Sequence, residues 1–174
     1  LIWSPYCGYN IDRQVNPKDI VDHILNNKVC GIANGKAEFG PRALGNRSLI
    51  ADVRYDVKDT VNGIKRRQKY RPFAPAILEE FADQYFDGPM NEYMQYTSIA
   101  KHDYAPVTHV DGTARVQVVK KDCESIFRKV IEEYYEKTGV PMLLNTSLNI
   151  RGRPMVNDEK DARLWEQEYK VKVF

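Results

Sequence analysis

Three cations and three glycines crowd into residues 35–48, where the chain reads Lys36-Ala-Glu-Phe-Gly-Pro-Arg-Ala-Leu-Gly-Asn-Arg-Ser48 after Gly35. Glycine lets backbone N–H groups approach a ligand closely, and arginine offers a planar fork matched to phosphate or carboxylate oxygens. Lysine adds a compact charge. The segment lacks GxxxxGK[ST] and GxGxxG, so it is neither a Walker A loop nor a dinucleotide fingerprint. A loop of solvated charges would have the same composition, but the apolar runs on either side favour ligand binding. Such flanks put the cations at strand ends, where α/β sheets hold ligands.

A second group is Asn145-Thr146-Ser147, which follows the apolar run 140–144 and precedes Asn149, Arg151 and Arg153. Small polar side chains there either donate to phosphate or ribose oxygens, or cap their own turn. A third is His109-Val-Asp-Gly-Thr-Ala-Arg115. Its histidine could act as a general acid or base, but a lone histidine in a turn is more often structural, so Arg115 ranks above His109. The run Lys65-Arg-Arg-Gln-Lys69 reads as a solvated or partner-facing surface. No Ser-His-Asp or Cys-His arrangement and no metal-ligand spacing stands out, so the chemistry expected is positioning and charge neutralisation on a phosphorylated substrate.

These groups need elements to hold them. Asn16 and Pro17 suit a helix start, with Ile20, Val21, Ile24 and Leu25 on one face. A buried strand is expected over 28–33, broken at Asn34-Gly35, then the cation segment as a loop, then a strand over 48–51. Asp56 is expected to cap a helix over 57–67. Two prolines keep 71–75 extended, and 78–86 reads as a short helix. Strands are expected over 93–100 and 114–119. Asp122 should cap a helix over 123–137 that Gly139 closes, with Ile126, Val130, Ile131 and Tyr134 on one face. An apolar strand over 140–144 then runs into the polar loop 145–147, and Asp158 opens a last helix reaching Tyr169. Strands alternating with helices argue for a mixed α/β fold.

The 174 residues fit one domain, 1–174, large enough to bury a core without disulfides or metals. Residues 36–71 hold ten Lys or Arg against four Asp or Glu, an excess of +6 that leaves −4 for the rest of the chain. That asymmetry implies a basic patch facing an anion. The three cysteines, Cys7, Cys30 and Cys123, are odd in number and widely spaced. A reducing, cytoplasmic compartment is expected, with Cys30 as a small buried residue. No apolar run approaches the roughly 20 residues that span a bilayer. A start at Leu1 reads as a fragment of a longer chain.

Four motifs taken together carry a resemblance: Glu38-Phe-Gly-Pro-Arg-Ala-Leu-Gly-Asn-Arg-Ser48, Arg71-Pro-Phe-Ala-Pro75, Thr108-His-Val-Asp-Gly-Thr-Ala-Arg-Val-Gln117 and Leu144-Asn-Thr-Ser147. In this order they resemble the C-terminal, YrdC-like domain of the O-carbamoyltransferases of the nodulation, cephalosporin and tobramycin type. The resemblance covers residues 29–155. It implies an α/β fold with a twisted mixed sheet, flanking helices and a basic cleft. It also implies binding of ATP and carbamoyl phosphate, with Mg2+ accompanying the nucleotide, to form carbamoyl-adenylate and release pyrophosphate. An N-terminal domain of the same polypeptide, with an iron-type metal, would then transfer the carbamoyl group to a hydroxyl acceptor. Carried over by motif, Lys36 and Arg42 would hold phosphate oxygens and Arg115 would neutralise the reacting phosphate or carbamate. Asn145, Thr146 and Ser147 would contact the nucleotide or carbamoyl group, and Arg47 and Arg71 would be further ligands or supports. Leu148 stands where an aromatic is usual, and residues 170–174 depart from the usual ending.

Two other readings compete. YrdC-type domains can present a basic cleft to RNA, which the Lys65–Lys69 run favours. Tyr70 and Phe73, however, are hemmed by prolines rather than displayed as a stacking platform. The chain could also be a docking scaffold without catalysis of its own. No membrane partner is expected.

Overall fold

The computed structural model of the chain describes residues 6–11, 14–38, 45–57, 60–61, 73–123, 125–148 and 159–174. Its centre is a five-stranded mixed sheet, ordered β2 (Val29–Ala33), β4 (Arg47–Ala51), β10 (Met142–Ser147), β5 (Ala74–Leu78) and β9 (Gln117–Val119). The first four pair antiparallel and β9 joins β5 in parallel. Two smaller units flank it. One is the antiparallel ribbon of β1 (Tyr6–Ile11) and β3 (Gly35–Glu38), and the other is the antiparallel sheet of β6 (Phe86–Asp87), β7 (Thr97–Ala100) and β8 (Thr113–Arg115).

Helix α1 (Pro17–Asn27) begins as its sequence requires. The Asn16 side chain accepts from the Lys18 N–H at 2.9 Å, and Ile20, Val21 and Ile24 are buried. Lys28 ends it in the left-handed conformation, with φ 71°. The stretch expected to be one helix over 78–86 is divided. Leu78 closes β5, a 3-10 turn covers Glu79–Phe81, α2 covers only Ala82–Tyr85, and Phe86 enters β6. Helix α3 (Phe127–Thr138) starts four residues later than expected, and Ser125 rather than Asp122 serves its entry: the Ser125 Oγ accepts from the Phe127 N–H at 3.1 Å. Gly139, at φ 75°, closes it as anticipated. Helix α4 (Glu159–Tyr169) follows. Of the helix expected over 57–67, only 60–61 lie among the described helical residues.

Register fixes which side chains share a face, because alternate residues of a strand point to opposite sides. Ser48 pairs with Ile32 and Ser147, Ile50 with Cys30 and Asn145, Ala74 with Asn145, and Ala76 with Gln117. These residues therefore occupy one face. Helix α3 covers it: a Cβ on Gly45, whose N–H is held by Ser48 Oγ, would lie 2.4 Å from Phe127 Cβ. Asp52, in phase with Ser48 and Ile50, accepts from the Tyr134 hydroxyl at 2.6 Å. The helix thus runs from the start of β4 to beyond its end. The free edge of β2 is occupied by residues 172–174. The Gly31 N–H donates to Lys172 O, the Phe174 N–H donates to Gly31 O, and the Ala33 N–H donates to Phe174 O, at 2.7 to 2.9 Å. The tail therefore pairs along the sheet edge, with Val173 fully buried.

Candidate functional site

Following the strands by register brings Arg47, Asn145, Thr146 and Ser147 to one end of the central sheet. Ala33 ends β2 opposite Arg47, which opens β4, and Ser48 sits opposite Ser147, the last residue of β10. Ala74 opens β5 beside Asn145, and Gln117 opens β9 two residues after Arg115. The N-terminal turn of α3 faces the same end, through Phe127 against Gly45. A helix N-terminus carries a partial positive charge and unsatisfied N–H groups, so the arrangement can receive an anion.

The loop expected over the cation segment is in part a strand. Lys36 lies on β3, paired opposite Asn10 of β1. The reversal that permits this is Gly35 at φ 67°, so the break seen at Asn34-Gly35 starts a ribbon rather than an open loop. Arg42 and Arg71 lie outside the described residues, as do Arg151, Arg153 and the Lys65–Lys69 run.

Arg47 turns inward. It is fully buried, and its Nη1 donates to the backbone oxygens of Asn46 at 2.8 Å, Gly35 at 3.0 Å and Asn34 at 3.2 Å. One guanidinium thereby holds the crossing from β2 into β3, which is the geometry of a support. Arg115 is its opposite: it is exposed, at the end of β8, and its side chain has no hydrogen bond or ion pair among the described residues.

Asn145, Thr146 and Ser147 belong to β10 itself, because the ladder to β4 continues to Ser147 rather than stopping at Leu144. Asn145 is buried and its Nδ2 donates to Gln117 Oε1 at 2.6 Å, whereas Thr146 and Ser147 are half-buried. Gln117 is the site-end residue that sequence reasoning did not single out. It closes the Thr108–Gln117 motif, and its phase with Ala76 is visible only once β9 is known to start there.

The expected strand over 114–119 is two strands. Val116 separates β8 from β9, and they belong to different sheets. His109 is exposed in the turn before β8, where its N–H donates to Thr113 O at 2.7 Å. Asp111 holds that turn through the Thr113 hydroxyl and N–H, and those hydrogen bonds lower its carboxyl pKa.

The far end of the same face carries a buried polar network that the sequence reading passed over. Asp52 accepts from Tyr134, from Arg54 Nε at 3.1 Å and from Arg54 Nη2 at 2.9 Å. Burial works against the Asp52 carboxylate, but the Arg54 and Tyr134 hydrogen bonds outweigh it and keep the pKa below the usual range. Burial and the Asp52 contact push the Tyr134 hydroxyl well above its ordinary value. Cys30 is buried as expected, and burial raises its thiol pKa strongly.

No group of three or more His, Cys, Asp or Glu that could hold a metal ion occurs among the described residues. No helix among them is long and apolar enough to cross a membrane.

The fold is a mixed α/β chain that brings small polar side chains and a helix N-terminus to one end of its central sheet. The chain belongs to the family described as carbamoyltransferase C-terminus, whose model matches residues 21–174. It is 44% identical over 149 residues to the nodulation protein NolNO of Sinorhizobium fredii, an alignment covering 80% of this chain and 22% of that protein. It is 41% identical over 151 residues to the nodulation protein NolO of Bradyrhizobium diazoefficiens, covering 81% of this chain and 28% of that one. The chain thus spans about a quarter of the length of these relatives. The crystal structure of HypF from T. kodakarensis has the same fold, with a TM-score of 0.57 and 18% identity over 98% of this chain and 23% of HypF.

Proposed function

We propose that this chain is the carbamoyl-activating part of a carbamoyltransferase. It binds ATP and carbamoyl phosphate and forms carbamoyl-adenylate, and an N-terminal part of the same polypeptide passes the carbamoyl group to a hydroxyl acceptor. The reading is supported chiefly by Ser147 and the α3 N-terminus at one sheet end, with Arg115 two residues before the start of β9, in a chain of this family. Lys36 and Arg42 hold phosphate oxygens, and Arg115 neutralises the reacting phosphate or carbamate. Ser147 faces the nucleotide or carbamoyl group with Asn145 beside it, Thr146 contributes from the opposite face of the strand end, and Arg47 and Arg71 support the walls.

The balance requires two leaving groups. Carbamoyl phosphate gives up phosphate to water, leaving carbamate. A carbamate oxygen then bonds to the α-phosphorus of ATP while the bond to pyrophosphate breaks. Both steps concentrate negative charge on phosphate oxygens, so fixed cations and N–H groups supply the catalysis. Mg2+ would arrive with the nucleotide, and an iron-type metal would belong to the N-terminal part. The buried Cys30 thiol fits a reducing compartment such as the cytoplasm.

Titration calorimetry with ATP tests the reading. Micromolar-class binding is expected, weakened at least about tenfold (~1.4 kcal/mol) in Lys36→Ala and in Arg115→Ala. Unchanged affinity in both variants would refute the site. Release of pyrophosphate by the chain only when carbamoyl phosphate is added would support the reaction, and release without it would count against it.

A further inference from the structure

Asn145 and Gln117 form a hydrogen bond over the top of an intervening strand. They sit on β10 and β9, with β5 between them, so their backbones are separated by about two strand spacings, roughly 10 Å. Asn145 lies beside Ala74 and Gln117 beside Ala76, so both side chains rise from the same face. They meet at 2.6 Å because β5 offers only methyl groups there. Both residues are almost fully buried, at 1% and 3% exposure, so water does not compete for the bond.

The bond has consequences at both ends. Arg115 lies two residues before Gln117, and Ser147 two residues after Asn145. Arg115 belongs to a different sheet from Ser147, and no ladder hydrogen bond joins β8 to β10. Gln117 is also in register with Asn91 in an isolated bridge, so the start of β9 is held from either side.

We infer that Gln117 is a positioning residue: its hydrogen bond to Asn145 across β5 ties the start of β9 to the end of β10 and so sets Arg115 relative to Ser147. This rests on the nucleotide reading above. The small residues Ala74 and Ala76 are part of the device, since a larger side chain at either would stand between the two amides.

A double-mutant cycle tests it, with ATP affinity measured by calorimetry and the Asn145 side-chain amide followed by NMR hydrogen exchange. Gln117→Asn is one methylene too short to cross the strand. It should weaken ATP binding about tenfold and abolish protection of the Asn145 amide. Gln117→Glu keeps an acceptor and should stay within about threefold of the parent with the amide still protected. In an Arg115→Ala background, Gln117→Asn should cost nothing further. Ala76→Val leaves Gln117 in place but blocks the crossing, and it should lose the same protection and affinity. Additive losses of Gln117→Asn and Arg115→Ala would overturn the positioning role, as would an Asn145 amide that exchanges freely in the parent chain. A parent chain that binds no ATP but keeps a protected amide would instead refute the nucleotide reading and the positioning role with it, leaving only the structural tie.

Discussion

Individual residues of the cation segment have diverging roles that their types alone do not reveal. Gly45 has φ 113°, a conformation that side chains resist, and its missing Cβ leaves room for Phe127 at the start of α3. Gly45→Ala combines backbone strain with a collision against a buried aromatic ring. It should lower stability by at least about 2 kcal/mol, read as a reduced urea midpoint at unchanged slope. A loss under about 0.5 kcal/mol would mean that the approach of this loop to α3 is not as close as described. Of the ten cations between residues 36 and 71, Arg47 is spent on backbone carbonyls and Arg54 on Asp52. The charge excess in the sequence therefore overstates the charge available to a ligand. Composition counts charges, whereas the direction of each depends on strand phase, and the phase of Arg47 follows from Ala33 across the ladder.

At the level of elements, the parts with strong local signals were legible. The Asn16–Pro17 start, the Gly139 stop, the apolar strands at 29–33 and 47–51 and the buried stripe of Val130, Ile131 and Tyr134 all follow from capping chemistry and periodicity. The expected mixed α/β class follows from their alternation, and the mixed sheet with flanking helices is what the family resemblance implied. What escaped is set by partners distant in sequence. Asn145–Ser147 read as a loop because they are polar, yet β4 supplies a ladder for them. Residues 114–119 read as one strand because nothing local marks Val116, where the chain changes sheets. The docking of 172–174 on β2 is a third case. An open edge strand invites pairing with another chain, and this tail closes it while burying Val173 against Gly31. Val173→Asp would place a carboxylate in that buried position. It should cost about 3 kcal/mol or more in chemical denaturation and increase aggregation in light scattering. A variant as stable and as monodisperse as the parent would show that the tail does not guard the edge.

For the whole molecule, the resemblance to carbamoyltransferases was readable from four motifs, and the family match over residues 21–174 agrees with it. The stability of the assembled chain rests on contacts that no motif marks. Among the polar contacts that fasten helix α3 to the rest of the described chain, two are largely buried. Tyr134 and Arg54 meet Asp52, and Arg128, nearly buried, meets Glu80 at 2.7 Å and donates to the Val119 carbonyl at 2.9 Å. Burial opposes ionisation of both Asp52 and Glu80, yet their hydrogen bonds to Arg54 and Tyr134, and to Arg128, leave each carboxyl pKa below its ordinary value. A carboxylate whose pKa is lower in the folded chain than in the unfolded one stabilises the fold fully above the unfolded value, roughly 3.9 for Asp and 4.3 for Glu. That contribution is lost as pH falls from there through the folded value. The urea midpoint should therefore stay nearly level from neutral pH to about 5 and fall steeply below about 4. Asp52→Asn still accepts from Tyr134 but leaves Arg54 without its charge partner, so it should be less stable at neutral pH and lose less on acidification. If the parent and Asp52→Asn lost stability in parallel below about pH 4, the buried Asp52 network would not be what acid undoes.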